Sequence, residues 1–293
     1  MSVSAAATIA LLSGKRAAST SAIASASRYA SASVELAGTG GVSFEGSVAD
    51  NRVRPITVNG VLTIGSGITI AGQGGLVGTE TLSRVVNVVN RGSIVAESGT
   101  LSVVAASVRN EGILGAENGG TLSVTNFAPN SGVLAANTGG LITINGTFAN
   151  NLDGRVNVSI GGASTSQFGR ITVTGSATLD GTLNVSLANG FIPVLGNRFR
   201  FMTFASRSGF FATTNGLDIG GGLAFQLEQT DPLDLELVTV AAAPASATVL
   251  SAGLAPDGSL AYVQRSWVKD FVAGNVNVAD ASDEEELLIA LPG

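Results

Sequence analysis

The residues of types that could do chemistry are few in this 293-residue chain, and they fall into two acidic sets. Glu97 and Glu117 stand 20 residues apart, Asn137 takes the next beat, and Asp153 follows further on. Clustered carboxylates beside Arg or Lys are what polysaccharide lyases and glycosidases use for acid–base work. Two acids followed by an amide read more simply as a solvated edge. The second set is Asp231, Asp234 and Glu236 in TDPLDLEL, where alternation with Leu233, Leu235 and Leu237 predicts one polar face of an edge strand. Such oxygens suit calcium, but the repeated Gly-Gly and Asp of nonapeptide β-rolls are missing. The expectation is therefore no catalytic residue, no cofactor and no metal.

Other chemistry is closed off by composition. The chain has no Cys and no His, which removes disulfides, thiolate metal sites, and the commonest general base and transition-metal ligand. Gly72-Gln-Gly-Gly75 and Gly220-Gly-Gly222 lack the Lys-Ser/Thr or spaced acidic partner of phosphate and dinucleotide loops, and read as turns. The sequons at Asn145, Asn157 and Asn184 fall in Thr/Asn-rich strands where they arise by chance. An ice-binding face needs regular Thr rows, and only Thr63, Thr69, Thr172 and Thr174 approach one. The formal charge is −6, with 15 Lys plus Arg against 21 Asp plus Glu and no basic stripe, so nucleic acid is not an expected partner. Mean hydropathy is +0.40, yet no run of about 18 apolar residues exists to span a bilayer, so this chain is not expected to be an integral membrane protein. The apolar run Ala5 to Leu12 precedes Lys15 and Arg16, the wrong order for a secretory signal; either a leader is missing or export uses another route.

What the sequence encodes strongly is architecture. Charged residues are 12%, about half the usual share, while Gly, Ser, Thr, Asn and Ala abound. In VLTIGSGITI, Leu62, Ile64, Ile68 and Ile70 alternate with Thr63 and Thr69 around a Gly-Ser-Gly turn, the period of strands. Asn90-Arg-Gly92, Asn110-Glu-Gly112 and Asn130-Ser-Gly132 then recur every 20 residues, and Asn150 keeps the beat. Ala96, Ala116 and Ala136 share that register, as do Gly99, Gly119 and Gly139, and as do Ile94, Leu114 and Leu134. Leu101, Leu122 and Ile142 follow with a one-residue slip.

Short strands divided by Gly and Asn at a fixed period are the signature of a stacked β-coil. A single coil cannot bury its apolar face, whereas stacking at roughly 4.8 Å pairs each strand with its equivalents and makes inner ladders. The prediction is an all-β parallel β-helix (β-solenoid) of about 20 residues per coil, with about seven coils over residues 38–187. Its structural corner column is Asn90, Asn110, Asn130 and Asn150, explained by side-chain bonding between coils and by Asn's tolerance of left-handed backbone.

Domain boundaries follow the changes of texture. Residues 1–36 are Ala/Ser-rich and predicted helical or disordered. Residues 37–187 are the solenoid, with Ile171, Val173, Leu179, Leu183, Val185 and Leu187 facing one way and Asp180-Gly181 supplying a turn. Residues 188–240 hold seven of the 12 Phe and are predicted to be capping strands over an otherwise open end. Residues 241–293 begin with the linker-like AAAPASA, continue with a strand or amphipathic piece around Tyr262 to Val272 beside Trp267, and end in an acidic cluster, Asp280 to Glu286, before Leu287-Leu-Ile-Ala-Leu291.

GRITVTGSATLDGTLNVSL (169–187), GFIPVLGNRFRFMTFASRSGFFATTNGL (190–217) and GGGLAFQLE (220–228) resemble the end of the β-helical passenger region of bacterial autotransporters and related large secreted surface proteins. The likeness covers roughly residues 80–240. It implies a right-handed parallel β-helix, export to the bacterial cell surface or medium, and adhesion, aggregation or display. The resemblance also implies a C-terminal outer-membrane barrel of amphipathic strands, and the residues after 240 do not read that way, so a passenger fragment, a stand-alone relative exported differently or one subunit of an assembly is expected. The function expected is an extracellular structural or adhesive module without catalysis, with self-association through termini or solenoid ends and with glycans or cell-surface partners. The alternative is a polysaccharide-binding or polysaccharide-degrading enzyme on the same β-helix, in which Glu97 and Glu117 would act.

Overall fold

A computed structural model describes residues 33–46, 51–55, 59–79, 85–229 and 231–243, with the backbone of 248–254 and 260–266. The chain divides into two compact units, 1–240 and 241–293. Among the described residues every regular element is a β-strand, and the sheets of the first unit are mostly parallel.

The first unit is built from three columns of parallel strands that the chain visits in turn, one strand of each column per pass. The first column contains Val34–Leu36, Asn59–Ile64, Val85–Asn90 and Ser107–Asn110. It continues by single bridges at Phe127 and Asn130 into Phe148–Ala149, Ser176–Leu179 and Ser206–Gly209. The second runs from Gly40–Phe44 through Ile113–Ala116 and Val133–Ala136 to Arg155–Ile160, Thr182–Leu187 and Thr213–Asn215. The third begins at Arg52–Val53 and passes through Thr121–Thr125, Leu141–Asn145 and Arg170–Val173 to Arg198–Thr203. Two long strands, Ile68–Gly78 and Ser93–Val104, belong to both the second and third columns and join them in one sheet.

Alternation decides what each strand buries. In the second column Ile70, Ile94, Leu114, Leu134, Val156 and Leu183 stack in register and are at most slightly exposed; in the third, Val77, Val103, Val124, Ile144 and Val173 do the same. Each such side chain contributes about 1.5–3 kcal/mol on leaving water, so the inner rows hold the levels together. The one-residue slip read from Leu101, Leu122 and Ile142 appears directly as the pairings Leu122 with Leu101 and with Ile142.

Two features differ from the sequence reading. The 20-residue spacing holds at the Asn corner, but successive levels lie 26 residues apart at Asn59–Val85, 27 at Asn157–Asn184 and 31 at Asn184–Asn215. At the later levels the extra residues fall in the corners 161–169 and 188–197, between strands. The parallel body also starts at Val34, inside the segment predicted helical or disordered, because Val34 and Leu36 fill inner positions opposite Leu62 and Ile64. Residues 1–32 of that segment lie outside the described residues.

At the other end the pairing changes sense. Arg198–Thr203 closes the third column on one edge and pairs antiparallel with Asp234–Ala241 on the other. Leu223–Glu228 lies beyond that strand and Asp218–Gly220 beyond it again. Phe199 is fully buried at the centre of this closure, with Phe168, Phe191 and Phe225 edge-to-face around it at centroid distances of 5.5, 6.2 and 5.7 Å. Of the other Phe residues in 188–240, Phe201 and Phe204 are buried, whereas Phe210 is exposed beneath the Arg207 guanidinium at 4.6 Å.

In the second unit, Thr248–Leu254 and Leu260–Ser266 pair antiparallel from Thr248 with Ser266 to Leu254 with Leu260. The strand predicted around Tyr262 is thus present through Ser266, while Trp267 and the acidic and apolar tail, 280–291, lie outside the described residues. No helix among the described residues is long and apolar enough to cross a membrane.

Candidate functional site

The four corner asparagines converge on one buried row. Asn90, Asn110 and Asn130 are fully buried and Asn150 nearly so. Each Nδ2 donates to the Oδ1 of the next: Asn90 to Asn110 at 2.8 Å, Asn110 to Asn130 at 2.9 Å, Asn130 to Asn150 at 2.8 Å. The second amide proton reaches a main-chain carbonyl, that of Ile113 from Asn90 and of Val133 from Asn110. Aliphatic residues hold the same position on the outer levels, with Leu36 and Ile64 before the row and Leu179 after it. The row therefore has two unlike ends. Asn150 Nδ2 is taken by the carbonyls of Asp180 and Gly154, at 2.7 and 3.0 Å, whereas Asn90 Oδ1, facing the Ile64 level, is buried without a donor.

These asparagines do not use left-handed backbone, contrary to half of the reason expected for them. Among the described non-glycine residues that conformation falls on Asn118, Asn126 and Asn189. What the Asn-x-Gly motif needs its glycine for is close approach: a Cβ on Gly132 would lie 2.3 Å from the Gly112 carbonyl and 2.8 Å from Asn110 Nδ2. The motif fixes architecture.

The acidic candidates are placed as follows. Glu97 is exposed. Glu117 accepts a hydrogen bond from the Asn137 amide at 3.2 Å, so the column joins a carboxylate to an amide. Asp153 is exposed in the turn between Asn150 and Gly154. Asp234 and Glu236 do share an outward face, but on a strand flanked on both sides, not on an edge. Their charges are met by Arg200, 2.8 Å from Asp234, and by Arg198, 2.6 Å from Glu236 and 2.9 Å from Glu228. Burial, with Asp231 and Glu236 nearby, still holds the Asp234 carboxyl above its usual range against the pull of Arg200.

The outward faces show what a fixed-period reading misses. In the third column Ser102, Ser123, Thr143, Thr172 and Thr203 form one continuous row across five levels. Beside it stand Thr100 and Thr121 on one flank and Thr125 and Asn145 on the other. Asn145 Nδ2 donates to Ser123 Oγ at 2.9 Å, and Thr203 Oγ1 to Thr172 Oγ1 at 3.4 Å. Arg170 is the one charge among these outward strand positions from Thr100 to Val173. Val104 and Leu141 also face outward on these strands, and at the end of the row Thr203 pairs with Asp234; neighbouring strands lie about 4.8 Å apart, so neutral hydroxyls recur along the row at that spacing.

The second column divides in two. Its outward positions are Val95, Gly115 and Ala135 on the middle levels, with Ile113 and Val133 beside them. They become Asn157, Asn184 and Asn215 later, where Asn184 Nδ2 donates to Asn157 Oδ1 at 2.8 Å and Asn215 Nδ2 to Asn184 Oδ1 at 2.9 Å. The first column carries the charge near its corner, where Glu111 bridges Arg91 and Arg109 at 2.9 and 2.7 Å, an exposed set of little energetic weight. No protein-family model matches this chain, and no curated protein matches it. The class defined by geometry is an all-β protein of parallel strand columns with one face dominated by hydroxyls.

Proposed function

We propose that the chain is an extracellular structural or adhesive module of a bacterial surface protein, folded as a right-handed parallel β-helix with a Phe-rich C-terminal cap. Three columns visited in turn, with apolar rows inside, support the β-helix; the antiparallel closure around Phe199 supports the cap. The likeness of residues 169–228 to autotransporter passengers supports the setting.

The observation that carries adhesion is the row from Ser102 to Thr203. A row of neutral hydroxyls flanked by Asn145 suits a neutral polyhydroxylated chain, whose hydroxyls exchange hydrogen bonds with the row itself without a charge to desolvate. Binding to immobilised neutral polysaccharides tests this. Ser123→Asp with Thr143→Asp weakens retention at least about tenfold, while Thr178→Asp on the first column leaves it unchanged. Equal effects on both faces, or no retention of the parent chain on any neutral polysaccharide, would overturn the assignment.

A further inference from the structure

Five Asn-Gly pairs lie among the described residues, at Asn59, Asn118, Asn145, Asn189 and Asn215, and the structure treats them in two ways. Three are tied. Asn59 Oδ1 accepts from the Val85 amide at 3.1 Å, and Gly60 lies within a paired strand. Asn145 Nδ2 donates to Ser123 Oγ at 2.9 Å, and the Gly146 amide donates to Thr174 Oγ1 at 2.8 Å. Asn215 Nδ2 donates to Asn184 Oδ1 at 2.9 Å. The other two pairs occupy the same tight turn: both residues have left-handed φ, 52° and 84° at Asn118-Gly119 and 54° and 68° at Asn189-Gly190. The turn is closed by Gly120 N to Glu117 O at 2.7 Å in one and Phe191 N to Ala188 O at 3.0 Å in the other, a type I′ arrangement. All four residues are exposed, a Cβ on either glycine would meet nothing within 4 Å, and among the described residues neither the Asn side-chain amide nor the Gly N–H has a hydrogen-bond partner, although the Asn118 main-chain N–H donates to the Thr138 carbonyl at 3.0 Å.

We propose that Asn118 and Asn189 are sites of self-catalysed deamidation, and that Asn59, Asn145 and Asn215 are protected from it. The glycine nitrogen, losing its proton to water or hydroxide, attacks the Cγ of the preceding Asn; the C–N bond to the side-chain nitrogen breaks and ammonia leaves, giving a five-membered imide. Water then opens the imide at one of its two carbonyls, producing Asp or isoaspartate. One water is consumed and one ammonia released, with no other reactant. Glycine is the residue for this step because no side chain hinders its nitrogen and its backbone turns freely. A tied pair must first give up a hydrogen bond of about 1 kcal/mol, which slows the reaction by about fivefold per bond. Completion at both sites takes the formal charge of the chain from −6 to −8, and an Asp at position 118 enlarges the acidic corner of Glu97 and Glu117.

The test is to hold the folded full-length chain at mildly alkaline pH and follow peptides by mass spectrometry and intact protein by isoelectric focusing. The expected result is a gain of one mass unit on the peptides containing Asn118 and Asn189, at least about fivefold faster than on those containing Asn59, Asn145 and Asn215. The paired Asn118→Gln and Asn189→Gln variant then shows no early acidic band. Modification of all five at one rate in the folded chain, or first at a tied pair, overturns the proposal, as does no modification at either Asn118 or Asn189. The same peptides from denatured protein serve as the reference, since there the five pairs share one unstructured environment.

Discussion

The buried asparagine row makes a prediction of unusual sign: replacing one interior member costs more than its share of replacing all four. In Asn110→Leu, the Nδ2 of Asn90 loses its 2.8 Å acceptor and the Oδ1 of Asn130 loses its 2.9 Å donor, and the Val133 carbonyl loses a 3.1 Å bond. Three bonds at about 1 kcal/mol each, with an additional desolvation cost of about 1–3 kcal/mol for the stranded Asn130 oxygen, give a loss of about 4–6 kcal/mol. A leucine there finds aliphatic surroundings of the kind that Ile64 and Leu179 already occupy, and its burial offsets about 2 kcal/mol. The net is about 2–4 kcal/mol, a large part of the 5–15 kcal/mol that holds a typical domain.

Asn90→Leu is milder, about 1 kcal/mol, because Asn90 Oδ1 already lacks a donor and the substitution only moves that orphan one level along. Replacing all four asparagines with Leu leaves no stranded side-chain group, so the quadruple variant loses several kcal/mol less than the sum of the four single changes. Stacked levels do not unfold as one unit, so chemical denaturation is paired with hydrogen exchange of amides flanking the row, such as those of Ile113 and Val133. Two results would refute the reasoning: Asn90→Leu as costly as Asn110→Leu, or a quadruple variant that loses as much as the four singles together.

Other outcomes follow from single positions. Gly132→Ala forces a methyl to within 2.3 Å of the Gly112 carbonyl and is expected to cost more than about 2 kcal/mol, whereas Gly119→Ala meets open space and costs only the left-handed penalty of about 1 kcal/mol; thermal melts of the two variants compare them. Phe199→Ala removes the fully buried ring at the centre of the antiparallel closure and costs about 3–5 kcal/mol by denaturant titration, with loss of exchange protection in Asp234–Ala241 before the middle levels. Asp234 has a folded-state pKa raised by burial, so its contribution is fully present below the ordinary carboxylate pKa and is lost as pH rises through the elevated value. Relative to Asp234→Asn, the parent chain therefore loses stability with increasing pH across the acid range, read as the difference between the two melting-temperature profiles.

The inner rows were legible because burial constrains them twice, by alternation along the strand and by stacking between strands. Ile94, Leu114 and Leu134 announce both constraints, and so do the asparagines, whose amides bond to equivalents one level away. Backbone conformation was less legible. Asn at a corner and Asn in a left-handed turn are the same letter, and only the hydrogen-bond pattern separates Asn110 from Asn118. The partners of Asp234 were illegible for a related reason: alternation says which way a side chain faces, not what lies beside its strand, and both neighbours, Arg198–Thr203 and Leu223–Glu228, come from other parts of the chain.

The hydroxyl row was hidden by corner lengths. Its members Ser102, Ser123, Thr143, Thr172 and Thr203 are 21, 20, 29 and 31 residues apart, so no constant period aligns them, and scattered Thr such as Thr63 and Thr69 look equally significant. Corners lengthen freely because a loop at the surface adds little entropy cost per residue and leaves strand pairing untouched. Outward positions are under no packing constraint that would require Ser or Thr at each level, since charged residues are accommodated on the same strands at Arg170, Arg198 and Arg200. A neutral hydroxyl kept on five successive levels of one column, while the second column changes from apolar to amide over the same span, is thus a property of the surface and not of the fold. The inner rows say how the levels stack; the outer row is the surface on which the proposed retention on neutral polysaccharides rests.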